Sequence, residues 1–261
     1  MDSNKNAIVL KFGGASVSSP EAFSSIADII LHRKKKYNKV IVVVSAMGDT
    51  TDELISLANK VNPNPPRREL DMLLSVGERI SIALLAMALA AKGTEALSFT
   101  GSQSGILTTN DHANAKIVNV KPHRLIPHLN NGKVVIVAGF QGMSLDGEIT
   151  TLGRGGSDTT AVALAVSLEA EKVEFFKDVF GIYDKDPKIY QDAHLLKELS
   201  YKEAFEIMDK GAQVLHSRCV RLAEKNSLPL KVLPFSRFLE EDLGTIIQDT
   251  VRSKKSISYE D

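Results

Sequence analysis

Four runs of almost uninterrupted Val, Ile, Leu and Phe recur along the chain: AIVL (7–10), VIVVVS (40–45), VVIVAGF (134–140) and VEFF (173–176). Continuous apolar runs this short read as strands buried on both faces, which only a sheet covered front and back can accommodate. A further strand is read at LKVL (230–233), and LDGEITTL (145–152) reads as a hairpin through Asp146-Gly147. The segments between are amphipathic. Pro20 opens a helical pattern carried by Phe23, Ile26, Ile29 and Ile30. Residues 69–92 read as one long helix, or one broken near Gly77; 157–172 and 201–226 read as helices, the latter interrupted at Gly211. Strands alternating with helices predict an α/β protein with a mainly parallel central sheet.

The 261 residues suit one large α/β domain or two small ones. Nothing resembling a linker or repeat divides them, so the expectation is one catalytic domain over 1–245 and a polar, frayed tail over 246–261. Lys plus Arg equals Asp plus Glu at 32 each, which gives no basis for a nucleic-acid or membrane-surface partner. The basic run HRKKKYNK (32–39) fits a helix C-terminal turn. The apolar stretch 80–91 is too short to span a bilayer, and the N-terminus lacks signal-peptide architecture. The lone Cys219 cannot form an internal disulfide. Together these predict a cytoplasmic protein. The histidines show no metal-ligand spacing, and no protein-held metal is expected.

Two glycine turns carry the chemistry. VLKFGGASVSS (9–19) ends a strand with Lys11 and two glycines, Gly13 and Gly14. Bare peptide N–H groups there can approach an anion while Lys11 adds a point charge, but a plain tight turn explains the same residues. Neither the GxxxxGK[ST] nor the GxGxxG spacing is present. The second turn, TLGRGGSDTTAVALAV (151–166), places Arg154, Gly155, Gly156, Ser157 and Asp158 at a helix start. Ser157 or Asp158 can cap that helix, and its N-terminus favours an anion. Glu78, in SVGER (75–79), is an acid in apolar helical surroundings, where it needs a cation such as Arg79 or Arg154, or a ligand amine.

In order, KFGGASV, SAMGDTTDEL, LLSVGERIS, SFTGSQSGILTT, VAGFQG, TTLGRGGSDTTAVALA, FGIYDKDPK and GAQVLH resemble the aspartate kinases of the amino-acid kinase superfamily across nearly the whole chain. The resemblance implies the amino-acid kinase (carbamate kinase-like) fold, a three-layer αβα sandwich with ligands across the carboxyl ends of the strands. It implies transfer of the γ-phosphoryl of ATP, bound with Mg²⁺, to the β-carboxylate of L-aspartate, which opens lysine, threonine and methionine synthesis. It places Lys11, Phe12, Gly13 and Gly14 at the phosphates, with Asp158 organising the cations. Arg154, Gly155, Gly156 and Ser157 would hold the substrate α-carboxylate, Glu78 its ammonium, and Ser45 and Thr51 its β-carboxylate, with Phe140 and Gln141 lining the pocket. Lys177, Asp178, Ile182, Tyr183, Lys185, Asp186 and Pro187 would surround the nucleotide.

Three positions depart from the family pattern. Ala15 follows KFGG where a hydroxyl is usual. Lys177-Asp178 replaces Thr-Asp or Ser-Asp, with a stem that reaches along the nucleotide or points to solvent. Gln213, in GAQVLH, replaces a phosphate-binding lysine, for which Lys210, Lys177 or Lys185 can compensate. Gln213 keeps a second reading open, a catalytically silent aspartate- or nucleotide-binding subunit; a kinase of a related amino acid is a third. Relatives often carry paired ACT regulatory domains, and the 261 residues stop before any such region, which leaves open a separate regulatory subunit as a further partner or a chain that is a piece of a longer protein. A homodimer through sheet-flanking helices is usual among relatives.

Overall fold

The computed structural model describes residues 7–209, 211, 214–240, 243–249 and 257–260. In chain order the elements are β1 (Ala7–Phe12), α1 (Ala22–Lys34), β2 (Lys39–Val44), α2 (Thr50–Val61), α3 (Arg67–Leu74), α4 (Val76–Ala91), β3 (Ala96–Phe99), β4 (Ile106–Thr108), β5 (Ile117–Val120), α5 (Ile126–Asn130), β6 (Val134–Ala138), β7 (Gln141–Ser144) and β8 (Ile149–Thr151). There follow α6 (Gly156–Ser167), β9 (Val173–Lys177), β10 (Ile182–Tyr183), β11 (Leu195–Leu196), β12 (Glu198–Leu199), α7 (Tyr201–Asp209), α8 (Ser217–Lys225), β13 (Leu230–Pro234) and β14 (Thr245–Ile247).

The main sheet has eight strands in the order β12-β14-β13-β9-β1-β2-β6-β3. Every pairing in it is parallel except β13 with β14. The register aligns Phe12 with both Val44 and Phe176, and Val44 with Ala138. The chain therefore leaves β1, β2, β6 and β9 at one common edge, where an open α/β sheet places its ligands. A smaller four-stranded sheet, β5-β4-β7-β8, and the β10-β11 pair lie outside the main sheet.

Strand parity sorts the core into two layers. Ala7 and Val9, with Ile41, Val43, Val135, Val137, Val173 and Phe175, face one side and pack with Ala161–Val166 of α6 and Val220 and Leu222 of α8. Ile8, Leu10 and Phe12, with Val40, Val42, Val44, Ile136 and Phe176, face the other and pack with Phe23, Ile26 and Ile30 of α1 and Ile82, Leu85 and Leu89 of α4. Alternate residues of a strand point to opposite faces, so this division follows from sequence position alone. Lys11 and Lys177 consequently belong to the α6 side. Glu174 belongs to the α1 side, where its carboxylate meets Arg33 Nε at 2.7 Å and Lys172 Nζ at 3.0 Å.

The 69–92 run follows the second of its two readings, a helix broken near Gly77, and two other expectations about elements are corrected. The break falls at Ser75, whose Oγ donates to the Met72 carbonyl at 2.9 Å, while Gly77 lies inside the first turn of α4. A side chain at Gly77 would meet the Ala46 Cβ at 2.8 Å, so this glycine serves close packing and does not end the helix. The Arg67–Ala91 run has the length and composition to cross a membrane, yet α4 packs against α1, β3 and β6. The helix read to residue 172 ends at Ser167. Finally, the polar tail expected from residue 246 begins inside β14. Residues 257–260 are docked: Ile117 N donates to Glu260 Oε2 at 2.8 Å, and Glu260 N donates to Ile117 O at 3.0 Å.

The Arg33–Glu174 pair gives a direct test of the α1 layer. Both side chains are almost fully buried, so Glu174→Gln leaves a guanidinium without its counter-charge. A loss of about 3 kcal/mol is expected in the urea unfolding midpoint analysis.

Candidate active site

Strand parity and the α6 N-terminus bring the cations of the site together. Lys11 ends the α6-facing set of β1, and Lys177 ends that of β9, the adjacent parallel strand. Asp158, in the first turn of α6, lies between them: Lys11 Nζ is 2.6 Å from its Oδ1 and Lys177 Nζ is 3.3 Å from its Oδ2. Lys11 is 4% exposed and Asp158 6%. Burial alone would raise the Asp158 pKa, but Lys11 and then Lys177 outweigh it and hold the carboxyl below its ordinary value. Burial lowers the Lys11 pKa; Asp158 opposes that shift, and Lys177 adds to it. The Lys177 stem thus turns inward to the Asp158 carboxylate and away from solvent.

Gly13 makes room for this cluster. A Cβ there would sit 3.2 Å from Lys11 Nζ, so any side chain would press on the ammonium. Gly14 follows in the same tight turn, closed by Ser16 N and Val17 N donating to Gly13 O at 2.9 and 3.1 Å. Across from it runs the chain leaving β2, where a Gly14 Cβ would approach Gly48 O at 3.3 Å. Ser45 N donates to Phe12 O at 3.1 Å, continuing the ladder into this turn. Thr51 lies in the first turn of α2.

Glu78 enters from α4. Its Oε1 accepts from Ala46 N at 3.1 Å, and its Oε2 is buried with no hydrogen-bond partner. Neither cation weighed from sequence, Arg79 or Arg154, pairs with it among the described residues. Burial pushes its pKa up to about 7, against smaller opposing effects from backbone N–H groups and Lys11. A buried carboxylate with one vacant oxygen is an acceptor waiting for a donor.

The second glycine turn is left-handed at its N-cap. Gly155 has φ +75°, and a Cβ there would lie 2.3 Å from His216 Cγ, so the imidazole packs directly on the peptide. His216 itself caps α8, its Nδ1 accepting from Arg218 N at 3.3 Å. Gly155 is the N-cap of α6, and neither Ser157 nor Asp158 supplies a side-chain cap; the expectation that one of them would is corrected. Ser157 is buried against Gly139, and Gly156 against Phe140. Phe140 holds a left-handed backbone at φ +68°, with its N–H donating to Thr160 Oγ1 at 3.2 Å. Gln141 is buried and donates through Nε2 to Ser75 O at 2.9 Å, which ties β7 to the helix break. Arg154 is exposed, four residues before Asp158, with no ion pair among the described residues.

The segment after β9 is less closely drawn in. Asp178 is exposed; Ile182 and Tyr183 form β10, and Ile182 is buried. Lys185 pairs with Asp192 at 2.6 Å and lies over the Tyr190 ring, Asp186 Oδ1 accepts from Lys188 N at 2.8 Å, and Pro187 is exposed. Gln213 and Lys210 lie outside the described residues. Sequence reasoning missed Asp71, a fully buried acid on α3 that accepts from Thr151 Oγ1 at 2.5 Å, Ala113 N at 3.0 Å and His112 Nδ1 at 2.7 Å. It pins the chain just ahead of Gly153. Its only sequence signal is an acid seven residues before Glu78 on one helical face.

A parallel sheet whose strand ends present two cations, a carboxylate between them and two glycine turns defines an α/β protein built to hold anions. Comparison with known proteins makes that class specific. The sequence model of the amino acid kinase family matches residues 6–234, so the chain belongs to the amino acid kinase family. It is 49% identical over 250 residues to an aspartokinase of Bacillus sp. (strain MGA3), covering 96% of this chain and 60% of that protein. Among solved structures it is similar to the aspartate kinase from Synechocystis, with a TM-score of 0.86, 42% identity, and coverage of 98% of this chain and 42% of that one. It is also similar to E. coli aspartokinase III in complex with aspartate and ADP, with a TM-score of 0.83, 27% identity, and coverage of 95% and 65%. The chain spans about three fifths of the length of the curated relatives it matches.

The Glu78 environment yields a stability prediction with a defined sign. Its folded pKa of about 7 lies above the ordinary 4.5, so the native state favours the protonated form. Stability therefore falls as pH rises from about 4.5 to about 7, and the full penalty, about 3 kcal/mol, persists above that. Glu78→Gln keeps the acceptor for Ala46 N and removes the charge. Thermal unfolding should show the variant more stable than the parent at pH 8 and equal to it near pH 4.5.

Proposed function

We propose that the protein is an ATP-dependent aspartate kinase, transferring the γ-phosphoryl of MgATP to the β-carboxylate of L-aspartate to give 4-phospho-L-aspartate. The observation that carries this reading is the Lys11–Asp158–Lys177 cluster set between two glycine turns, with the vacant Glu78 oxygen on the same edge of the sheet. The 49% identity to an aspartokinase, and the likeness to an aspartokinase bound to aspartate and ADP, support it.

The acceptor carboxylate is already ionised at neutral pH and needs no general base. Its oxygen attacks the γ-phosphorus as the bond from that phosphorus to the β,γ-bridging oxygen breaks, and ADP leaves with the bond's electrons. What remains for the protein is positioning and charge neutralisation. Lys11 and the N–H groups of Gly13 and Gly14 meet the transferring group beside Phe12. Asp158 keeps Lys11 and Lys177 aimed at it. Arg154 grips the α-carboxylate with a fork suited to a planar anion, aided by Gly155, Gly156 and Ser157. Glu78 takes the ammonium, Ser45 and Thr51 orient the β-carboxylate, and Phe140 and Gln141 wall the pocket. Asp178, Ile182, Tyr183, Lys185, Asp186 and Pro187 flank the nucleotide. Mg²⁺ enters as part of the nucleotide substrate. Gln213 replaces a charge that the family commonly supplies, and Lys177 stands in for it. The reaction belongs to the cytoplasm, at the head of lysine, threonine and methionine synthesis.

ADP release is the test. It should depend on L-aspartate and stay at background with L-glutamate or no acceptor; equal rates in all three would overturn the proposal. Lys11→Met should lower kcat by about 10²–10³. The kcat/KM for aspartate should fall about tenfold per pH unit below about 7, as Glu78 takes up the proton that excludes the substrate ammonium.

A further inference from the structure

Arg218, in the first turn of α8, makes four side-chain hydrogen bonds among the described residues. Its Nη1 donates to Leu152 O, its Nη2 to Ala115 O at 2.5 Å and to Glu260 Oε2 at 2.9 Å, and its Nε to Glu260 Oε1. Both side chains are mostly buried, at 18% and 11% exposure. One guanidinium therefore ties together α8, the chain on either side of the second glycine turn, and the segment 257–260.

The two carbonyls it holds are specific. Leu152 immediately precedes Gly153-Arg154-Gly155, and its N–H donates to Phe140 O at 2.8 Å. Ala115 N donates to Thr151 O at 2.9 Å, and a Cβ on Gly153 would lie 3.0 Å from Ala113 O. Arg218 thus fixes the floor from which the Arg154 loop rises, while His216, two residues earlier, packs on Gly155 from the other side. Neither residue touches the Lys11–Asp158–Lys177 cluster.

Segment 257–260 reaches Arg218 alongside β5, where Glu260 N donates to Ile117 O and the Glu260 carboxylate accepts from Ile117 N. Beyond the paired bonds between Ile117 and Glu260, the Asn226 amide reads its backbone twice: Nδ2 donates to Ser258 O at 2.7 Å, and Oδ1 accepts from Ser258 N at 3.0 Å. Two-point recognition of Ser258 by the Asn226 amide and the Glu260 N–H to Ile117 O bond fix the position of Glu260. Its carboxylate then meets the guanidinium fork to fork.

We propose that Arg218 is a positioning residue for the Gly153–Gly156 loop, and that segment 257–260 is a strap that sets its aim through Glu260. Docking of the strap orients the fork, the fork holds Leu152 O and Ala115 O, and the loop presents Arg154 to the acceptor carboxylate. The role in substrate binding rests on the reading of that loop given above; the mechanical coupling does not.

Glu260→Gln keeps the shape of the strap and removes its charge, and Arg218→Lys keeps the charge and removes the fork. Both should raise the aspartate KM about tenfold, as expected when a binding loop is misplaced by a distant change, with the ATP KM and kcat within about twofold. In amide hydrogen exchange, the Gly153–Ser157 amides should lose protection while those of β1 and β2 keep theirs. Unchanged aspartate KM together with unchanged exchange overturns the proposal. So does a purely structural outcome, in which Tm and the active fraction fall but both KM values stay fixed. If the parent protein itself releases no ADP with aspartate, the functional reading fails, and the exchange of Gly153–Ser157 alone decides the strap.

Discussion

One carboxylate between two ammonium groups governs this molecule. Asp158 is buried, and so is Lys11; either alone would be a large uncompensated cost in the interior. Together with Lys177 they form a cluster whose net charge is positive and whose surplus points where the strands end. The fold is arranged around keeping those three side chains convergent. Parallel pairing puts β1 beside β9, α6 begins over both, and glycine at position 13 leaves the ammonium unobstructed. A site with a built-in positive surplus suits a polyphosphate far better than a neutral ligand, because the attraction acts where water is already displaced.

The two faces of the main sheet have different work. The α1 and α4 side is a packing layer, with aromatic stacking of Phe12 on Phe176 at 4.8 Å and the buried Arg33–Glu174 pair. The α6 side carries the Lys11–Asp158–Lys177 cluster at its rim. The small sheet β5-β4-β7-β8 supplies the remaining wall, and three polar anchors bolt it on: Asp71 to Thr151 and the chain at 112–113, Gln141 to Ser75, and Arg218 to Leu152 and Ala115. These anchors come from two helical regions, α3 with its Ser75 cap and α8, so the wall holds its place without sharing a ladder with the main sheet.

Much of the architecture was legible because the strands that bear it are uniformly apolar. The runs at 7–10, 40–45, 134–140 and 173–176 read as strands buried on both faces, whereas the register that puts Lys11 and Lys177 on one face came only with the structure. Of the small sheet only the turn between β7 and β8 was legible, through Asp146-Gly147. Its strands are three or four residues long, and sequences such as QGMS and IVNV have neither a continuous apolar run nor a clean alternation. The break near Gly77 was legible, though the glycine's own work, admitting Ala46, was not. The candidate site residues were found through glycine spacing and family likeness. Asp71, Arg218 and Glu260 escaped because their partners are backbone groups distant in sequence, a relation no local pattern records.

The alternation of β1 has a consequence for how such a chain can change over time. Removing one residue inside β1 would send the side chains on one side of the gap to the opposite face, so either Lys11 leaves Asp158 or the residues before the gap exchange layers. Shifts by two restore orientation but displace the turn. Point substitutions can drift freely among Val, Ile and Leu in these strands, whereas their length is frozen.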